Sequence, residues 1–319
     1  MAAAALDLAD SILLADSPTL RRLVRGAVED SSSELESTSR INAVRVMALD
    51  PTDSTIPALD HLLGPQEAAE IQIAAVEALL KNGNSRVVTL LLEKWRSYTE
   101  AVRKVVWDGL LARKAFMKTL LDGIGDETVP AWTVSRPRVN QLLQSPDDEI
   151  RRRAEILFRD LPHGRGHLIE QCQSALSVKG SIPSGKEVFR ENCSRCHRLD
   201  GMGSEVGPDL MDVIGRRPKK FLLTKILDPN VNISPGYETY VIETENGATV
   251  TGVIAQDSPT SLMLRREKGE EETVLRRNIA TLRVSSVSTM PEGLEEDINL
   301  SEMTDLLEYL QRLATPGPL

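Results

Sequence analysis

The first half of the chain places apolar residues at helical spacing over residues 6–178. Ser17-Pro18 is a typical helix start, because a capping side chain precedes a proline in the first turn, where a backbone N–H has no helical partner to lose. Ser145-Pro146 is a second start of this kind, and the acidic residues that follow it suit the positive end of a helix dipole. The pattern predicts helix after helix in this part of the chain.

The helical segments also repeat one another. Residues 40–44 (RINAV) match residues 72–76 (QIAAV) at an offset of 32, and Val102-Arg103 matches Ile150-Arg151 at an offset of 48. The longer offset is explained by an inserted, proline-containing loop at residues 125–138. Periods in this range are typical of stacked helix pairs, and the units resemble HEAT-type repeats of an α-solenoid. An irregular helical bundle is the alternative interpretation.

A linker and a change of pattern divide the chain. Residues 178–185 (VKGSIPSG) predict a boundary between a helical domain at residues 1–178 and a second domain at residues 183–319. Alternating runs in the second domain predict strands at Tyr240–Glu245, Ala248–Ile254, Thr260–Arg266 and Thr273–Arg277. Asn246-Gly247, between the first two runs, is a hairpin signal. The expected fold class is mainly α, with a small antiparallel β insert at about residues 240–287.

Composition and charge narrow the classes of function. The 319 residues are 41% hydrophobic and 27% charged, which suits packed cores and excludes wholesale disorder. The net charge of −9 lacks the basic surplus that nucleic-acid binding needs, so no nucleic-acid partner is expected. No run approaches the roughly 18–20 apolar residues of a membrane span. The start of the chain (MAAAALDLADSILLADS) has no basic segment before its apolar residues, so no signal peptide is predicted.

The candidate chemistry lies in the run Cys193-Ser194-Arg195-Cys196-His197. Three cysteines in the chain are an odd number, which excludes a disulfide framework. Two thiols one helical turn apart suit addition to the two vinyl groups of haem, and the adjacent histidine is thereby placed under the iron. The motif predicts covalently attached haem, with His197 as the proximal iron ligand.

Two other interpretations of the cysteine pair stay open. A zinc site could combine Cys193 and Cys196 with His163, His167 or Cys172. Cys172 falls on the apolar stripe of a predicted helix, however, and is expected to be a buried core thiol. A thioredoxin-like redox pair would accompany a βαβ pattern, whereas only helices precede this motif.

The order of the flanking elements resembles a class I cytochrome c. A short helix at residues 185–189 leads into the motif, Gly207-Pro208 follows it, and an amphipathic helix from Ser301 ends the unit. That last helix places a set of apolar side chains on one face, namely Met303, Leu306, Leu307, Leu310 and Leu313. The resemblance implies that the first and last helices cross. It also implies that the Pro208 carbonyl accepts a ring N–H of His197 and so fixes its tautomer.

The sixth iron ligand is expected to be Met290. Met202 lies too near the attachment motif to reach the opposite haem face, and Met211 and Met303 have the spacing of helical core residues. Met290 lies in the irregular segment STMPEG, just before the last helix. Cytochromes c carry their distal thioether in a Met-Pro at this place, so the resemblance implies His197 and Met290 as the two iron ligands.

Residues 185–210, 226–265 and 286–313 together closely resemble the haem-binding domain of Pirellula/Verrucomicrobium type. The resemblance is specific, because a β insert separates the attachment motif from the Met-Pro-Glu-Gly-Leu segment. It implies one covalently bound haem c, with its iron, per chain, and one-electron transfer by a carrier rather than an enzymatic reaction. It also implies export to the periplasm and a redox partner protein, for which a dehydrogenase is a candidate.

The helical repeats are expected to dock that partner, since such repeats present long concave surfaces. Two alternatives belong to other classes of function. One is a haem sensor or catalytic haem protein in which Met290 is a labile ligand. The other is a structural module stapled by zinc, without a redox role.

Overall fold

The computed structural model describes residues 18–31, 35–50, 53–82, 85–159, 165–215, 217–231 and 233–314. Within these ranges the fold is mainly α-helical with one small antiparallel sheet, as predicted. The helix predicted from Ser17-Pro18 begins at Pro18, whereas Ser17 and the start of the chain, for which no signal peptide was predicted, lie outside the described residues. None of the described helices is long and apolar enough to cross a membrane.

The first part of the described chain is built of helices. They are α1 (Pro18–Ser31), α2 (Ser37–Met47), α3 (Ile56–His61), α4 (Ala69–Asn82), α5 (Ser85–Glu93), α6 (Glu100–Leu111), α7 (Lys114–Gly125), α8 (Arg136–Leu143) and α9 (Asp148–Arg159). As the second start signal predicts, α9 carries Asp148 and Glu149 in its first turn. The proposed inserted loop is partly regular, because it holds a 3-10 turn at Ala131–Thr133 and the start of α8.

These helices pack in two rows around one core. Helices α2, α4 and α6 lie side by side, and α5, α7 and α9 form the second row. The core between them includes Trp95 and Trp107, whose ring centroids are 6.3 Å apart. Within each row, a helix therefore packs against the helix two places further along the chain, as in a stack of helix pairs.

A second core is formed by the helices that follow. They are α10 (Gly166–Gln171), α11 (Ile182–Asn192), α12 (Leu210–Ile214), α13 (Lys219–Leu227), α14 (Leu294–Asp297) and α15 (Leu300–Ala314). Helices α11 and α15 pack on each other, and a Cβ added to Gly185 would lie 2.0 Å from the carbonyl oxygen of Asp305. The aromatic rings of Phe189 and Tyr309 pack on each other, with their centroids 6.1 Å apart. The apolar face predicted for α15 is confirmed, since Met303, Leu306, Leu307 and Leu310 are buried.

The second core begins earlier in the chain than the expected linker. Ala175 is fully buried in it, and Leu168 and Ile169, which sequence analysis assigned to the helical repeats, pack against it. Cys172 follows the last residue of α10 and packs against the second core, but it is partly rather than fully buried, so the expected core thiol lies at the edge of the core. The reason is that α10 is short and touches this core along its edge.

The β insert is a five-stranded antiparallel sheet in the order β4-β3-β2-β1-β5. Its strands are β1 (Thr239–Thr244), β2 (Thr249–Asp257), β3 (Ser261–Arg265), β4 (Glu271–Leu275) and β5 (Ile279–Val284). The four predicted strands are present, and the turn between β1 and β2 contains Asn246 and Gly247, as expected. Strand β5 was not predicted, and it pairs with β1 on the far side from β2.

The sheet packs against the first group of helices. Trp132 lies on the core of the sheet, and Gln66 donates to the carbonyl oxygen of Ile279 at 2.8 Å. The guanidinium of Arg276 donates to the carbonyl oxygens of Pro65 at 3.0 Å and Glu67 at 2.7 Å. The insert is therefore a bridge between the α1–α9 helices and the second core.

Candidate cofactor site

The Cys-x-x-Cys-His run forms a tight turn at the end of α11. Cys193 follows the last residue of that helix, and its carbonyl oxygen accepts hydrogen bonds from the backbone N–H groups of Cys196 at 3.1 Å and His197 at 2.9 Å. A helical turn of this kind brings side chains three and four residues apart to one side. All three side chains accordingly line the same cavity.

His197 is held from behind by the next segment of chain. Its Nδ1 lies 2.9 Å from the carbonyl oxygen of Pro208, as the cytochrome c resemblance implies. Gly207 is pressed against the ring, because a Cβ there would lie 2.4 Å from Cε1 of His197. Burial lowers the pKa of His197, and the hydrogen bond to Pro208 opposes that shift in part. With Nδ1–H donating to the carbonyl, the neutral ring keeps its lone pair on Nε2 for a metal.

The cavity is apolar and has a volume of about 990 Å³, including its open mouth. Helices α12 and α13 supply most of its apolar wall, through Leu210, Val213, Ile214, Phe221, Leu222 and Ile226. A few polar side chains also line it, among them Lys225, Ser234 and Tyr237. A large, apolar cavity with few polar groups is typical of a site for an organic cofactor.

Met290 lines the same cavity as His197. Its irregular segment is fixed by Asn230, whose side-chain oxygen accepts from the N–H of Ser288 at 2.7 Å and whose amide donates to Glu292 at 2.6 Å. The N–H of Met290 itself donates to the Ser288 hydroxyl at 3.1 Å. Sequence reasoning missed Asn230, because Asp-Pro-Asn signals a turn but not the partner that the turn contacts.

The other methionines differ in their surroundings. Met303 is buried in the second core, and Met202 packs against that core. Met211, interpreted from its spacing as a core residue, is 49% exposed, so that expectation is wrong. Its helix, α12, is only one turn and a half long and buries Ile214 rather than Met211.

Before haem is attached, the pKa values of both cysteines of the motif lie above the ordinary value, so both are protonated thiols at neutral pH. Burial raises the pKa of Cys193 to about 12, and the neighbouring Cys196 adds to that shift. Burial also raises the pKa of Cys196, with a further contribution from Glu267.

The zinc alternative finds no ligand cluster in the described ranges. Within them, no group of three or more His, Cys, Asp or Glu side chains is placed to hold a metal ion. His167 is exposed on α10, and His163 lies outside the described residues. The donors that do meet are two thiols, a neutral imidazole and a thioether around an apolar cavity, and this set fits haem c.

Comparison with known proteins agrees with this geometry. Residues 182–257 match the model of the cytochrome c family, and this stretch contains Cys193, Cys196, His197 and Pro208 but not Met290. This region is a cytochrome c-like domain. The cytochrome c family implies covalently bound haem c, with its iron, as the cofactor of this domain.

One curated protein to which this chain is similar is cytochrome c type-1 of Ascaris suum. It is 41% identical over 39 residues, which make up 12% of this chain and 35% of that protein. The chain thus spans about a third of the length of the relative it matches. The helices α1–α9 lie outside the residues that the family model matches.

Proposed function

We propose that the chain is a mono-haem c-type cytochrome that transfers single electrons. The observation that carries this proposal is that Cys193, Cys196, His197 and Met290 line one apolar cavity. In this role the two thiols form thioethers with the vinyl groups, and His197 and Met290 ligate the iron.

Each residue then has a stated task. The bound haem supplies the Fe(III)/Fe(II) couple. Cys193 and Cys196 each add S–H across a vinyl C=C, which consumes no oxidant. The Pro208 carbonyl orients His197, and the thioether of Met290, a soft neutral ligand, would stabilise Fe(II) and raise the potential. The apolar side chains that α12 and α13 contribute to the cavity would limit the access of water to the bound haem.

A labile Met290 would instead make the protein a haem sensor or catalyst. The contacts of Asn230 favour the carrier, because they tie the segment around Met290 on both sides. A held Met290 would remain an iron ligand beside His197 in both oxidation states, and an electron carrier needs this, because its structure should change little between those states.

We also propose that helices α1–α9 form a HEAT-like solenoid that docks the redox partner, for which a dehydrogenase is a candidate. The two-row packing supports the solenoid, and the long surface of such a stack suits a protein partner. The β insert between the attachment motif and Met290 supports assignment to the Pirellula/Verrucomicrobium type. The resemblance to this bacterial type also supports a periplasmic or otherwise exported location, since bacteria attach haem c outside the cytoplasm.

Expression with a cytochrome c maturation system tests the proposal. The haem should stay with the polypeptide on acid-acetone extraction, and both oxidation states should give low-spin, six-coordinate spectra without ready CO binding. A variant with Cys193→Ala and Cys196→Ala should lose its haem on extraction. Extractable haem in the natural sequence, or stoichiometric zinc instead of haem, would overturn the proposal, and a high-spin ferrous form that binds CO would favour the sensor.

A further inference from the structure

A short turn separates the haem cavity from the first group of helices. The turn runs from Ser234 to Tyr237, is closed by a hydrogen bond from the N–H of Tyr237 to the carbonyl oxygen of Ser234 at 3.0 Å, and lines the haem cavity at both ends. On its other side, Pro235 lines a small pocket together with Trp132 and other residues of the helical part. Ile233 lines both the pocket and the cavity, so a single segment of backbone separates the two.

Glu238 ties this turn to helix α6. One carboxylate oxygen, Oε2, accepts the N–H of Gly236 within the turn at 2.8 Å. The other oxygen, Oε1, accepts from Nη2 of Arg103 at 2.8 Å. The same Nη2 lies 2.9 Å from the hydroxyl of Tyr240, at the start of β1. A single carboxylate thus connects the cavity wall to the helical part of the chain.

The Arg103–Glu238 pair is buried, and burial is costly for charges. Arg103 has no exposed surface and Glu238 is 7% exposed. Within the described part of the chain, Nε and Nη1 of Arg103 have no hydrogen-bond partner. Buried ion pairs are weak sources of stability compared with apolar residues of the same size, and their best-supported use is to fix one arrangement. Arg103 also pairs with Glu100 on its own helix, at 3.5 Å between Nη2 and Oε2, so loss of Arg103 leaves the Glu238 carboxylate without its cation, whereas loss of Glu238 leaves Arg103 with Glu100.

We propose that Arg103 is a positioning residue of the haem site. Through Glu238 it holds the Ser234–Tyr237 turn against the cavity, which limits the access of water to the haem and thereby sets its reduction potential. Exposure to water favours the more highly charged ferric form, so a loosened wall lowers the potential. The inference rests on the proposed function, and it makes the helical part a component of the redox site.

Arg276 provides a matched control. It is 2% exposed and, like Arg103, joins the β insert to the helical part, but through the carbonyl oxygens of Pro65 and Glu67. It also pairs with Asp257, and none of these four residues lines the haem cavity. Its replacement should disturb the interface of the insert without moving the cavity wall.

The test compares Arg103→Lys, Arg103→Met and Glu238→Gln with Arg276→Lys in the haem-loaded full chain. Spectroelectrochemical titration measures the midpoint potential, and urea unfolding measures stability. We expect the first three changes to shift the Fe(III)/Fe(II) equilibrium toward Fe(III), by about tenfold for Arg103→Met, which equals about 59 mV for a one-electron couple. Arg276→Lys should lower the urea midpoint and leave the potential unchanged.

The outcomes separate the two proposals. If the natural sequence carries covalent haem but no Arg103 or Glu238 variant shifts the potential, the positioning role is overturned and the proposed function stands. The same holds if Arg276→Lys shifts the potential as much as Arg103→Lys. If Arg103→Met fails to fold, Arg103→Lys and Glu238→Gln decide the question. A natural sequence without covalent haem overturns the proposed function and this inference with it.

Discussion

The side-chain oxygen of Asn230 accepts a hydrogen bond from the backbone N–H of Ser288 at 2.7 Å, two residues before Met290. The amide of the same side chain donates to Glu292, two residues after Met290. These two hydrogen bonds attach residues 288–292, which include the proposed iron ligand, to the turn that follows α13. The distal side of the site is thus organised by one asparagine.

Replacing Asn230 should weaken the ligation by Met290. Asn230→Ala removes both hydrogen bonds, and Asn230→Asp keeps the acceptor but puts a second carboxylate beside Glu292. We expect a reduced sulfur-to-iron band near the red end of the ferric spectrum in both variants, and a higher affinity for added imidazole. Asn246→Ala, in the β1–β2 turn, is the control and should leave the band unchanged. Full-intensity bands in both Asn230 variants would show that Met290 needs no such support.

Met290→Ala should keep the covalent haem and lose the ligand. Both thioethers and His197 remain, so attachment should persist. The sulfur-to-iron band should disappear and the potential should fall, because water or another group replaces the thioether. Met303→Ala is the matched control, and truncation of this buried side chain should cost about 2–5 kcal/mol of stability while ligation stays intact. The assignment is wrong if Met303→Ala removes the band and Met290→Ala does not.

Gly207→Ala should displace the ring of His197. The added Cβ would lie 2.4 Å from Cε1 and 2.8 Å from Nδ1, so the ring or the Gly207-Pro208 segment has to move. We expect weaker hydrogen bonding to the Pro208 carbonyl, changed g-values in the ferric EPR spectrum and less haem incorporation. Gly26→Ala in α1 meets no atom within 4 Å and should leave the spectrum unchanged, while stability rises by about 0.5–1 kcal/mol. Identical EPR spectra for both variants would contradict this account of the ring.

The thiols should differ in reactivity before haem is attached. Burial raises the pKa of Cys193 to about 12, so very little thiolate forms there at neutral pH. Burial also raises the pKa of Cys196, but this side chain is less buried than that of Cys193. We expect iodoacetamide to alkylate Cys196 faster than Cys193 in the folded apoprotein, and the rate at Cys193 to rise as the pH approaches its pKa. Mass mapping after timed quenching measures both rates, and faster labelling of Cys193 would refute the ordering.

Sequence analysis predicted the parts of the site whose signal is local. The Cys-x-x-Cys-His run and the buried face of α15 depend on spacing along a single helix or turn. The prediction that Met290 is an iron ligand rests on its place in an irregular segment. Four of the five strands were predicted for the same reason, since each alternates over several residues. Strand β5 was missed because its alternation continues directly from the short 3-10 turn at Arg276–Asn278.

Contacts between distant residues left no signal in the sequence. Arg103 and Glu238 are 135 residues apart, and each is an ordinary charged residue until the fold brings them together in a buried place. The same is true of Asn230 and Ser288, whose contact depends on how the chain returns from the β insert. Met211 was misassigned because helical spacing does not tell which face of a very short helix meets the core.

The most direct test of the covalent haem site is the intact mass of the protein after denaturation and complete alkylation. Protein matured with haem should weigh one polypeptide, one haem and one alkyl group, because Cys193 and Cys196 are then thioethers and only Cys172 has a free thiol. The Cys193→Ala and Cys196→Ala double variant should carry one alkyl group and no haem. A natural chain that carries three alkyl groups and no haem would contradict the account.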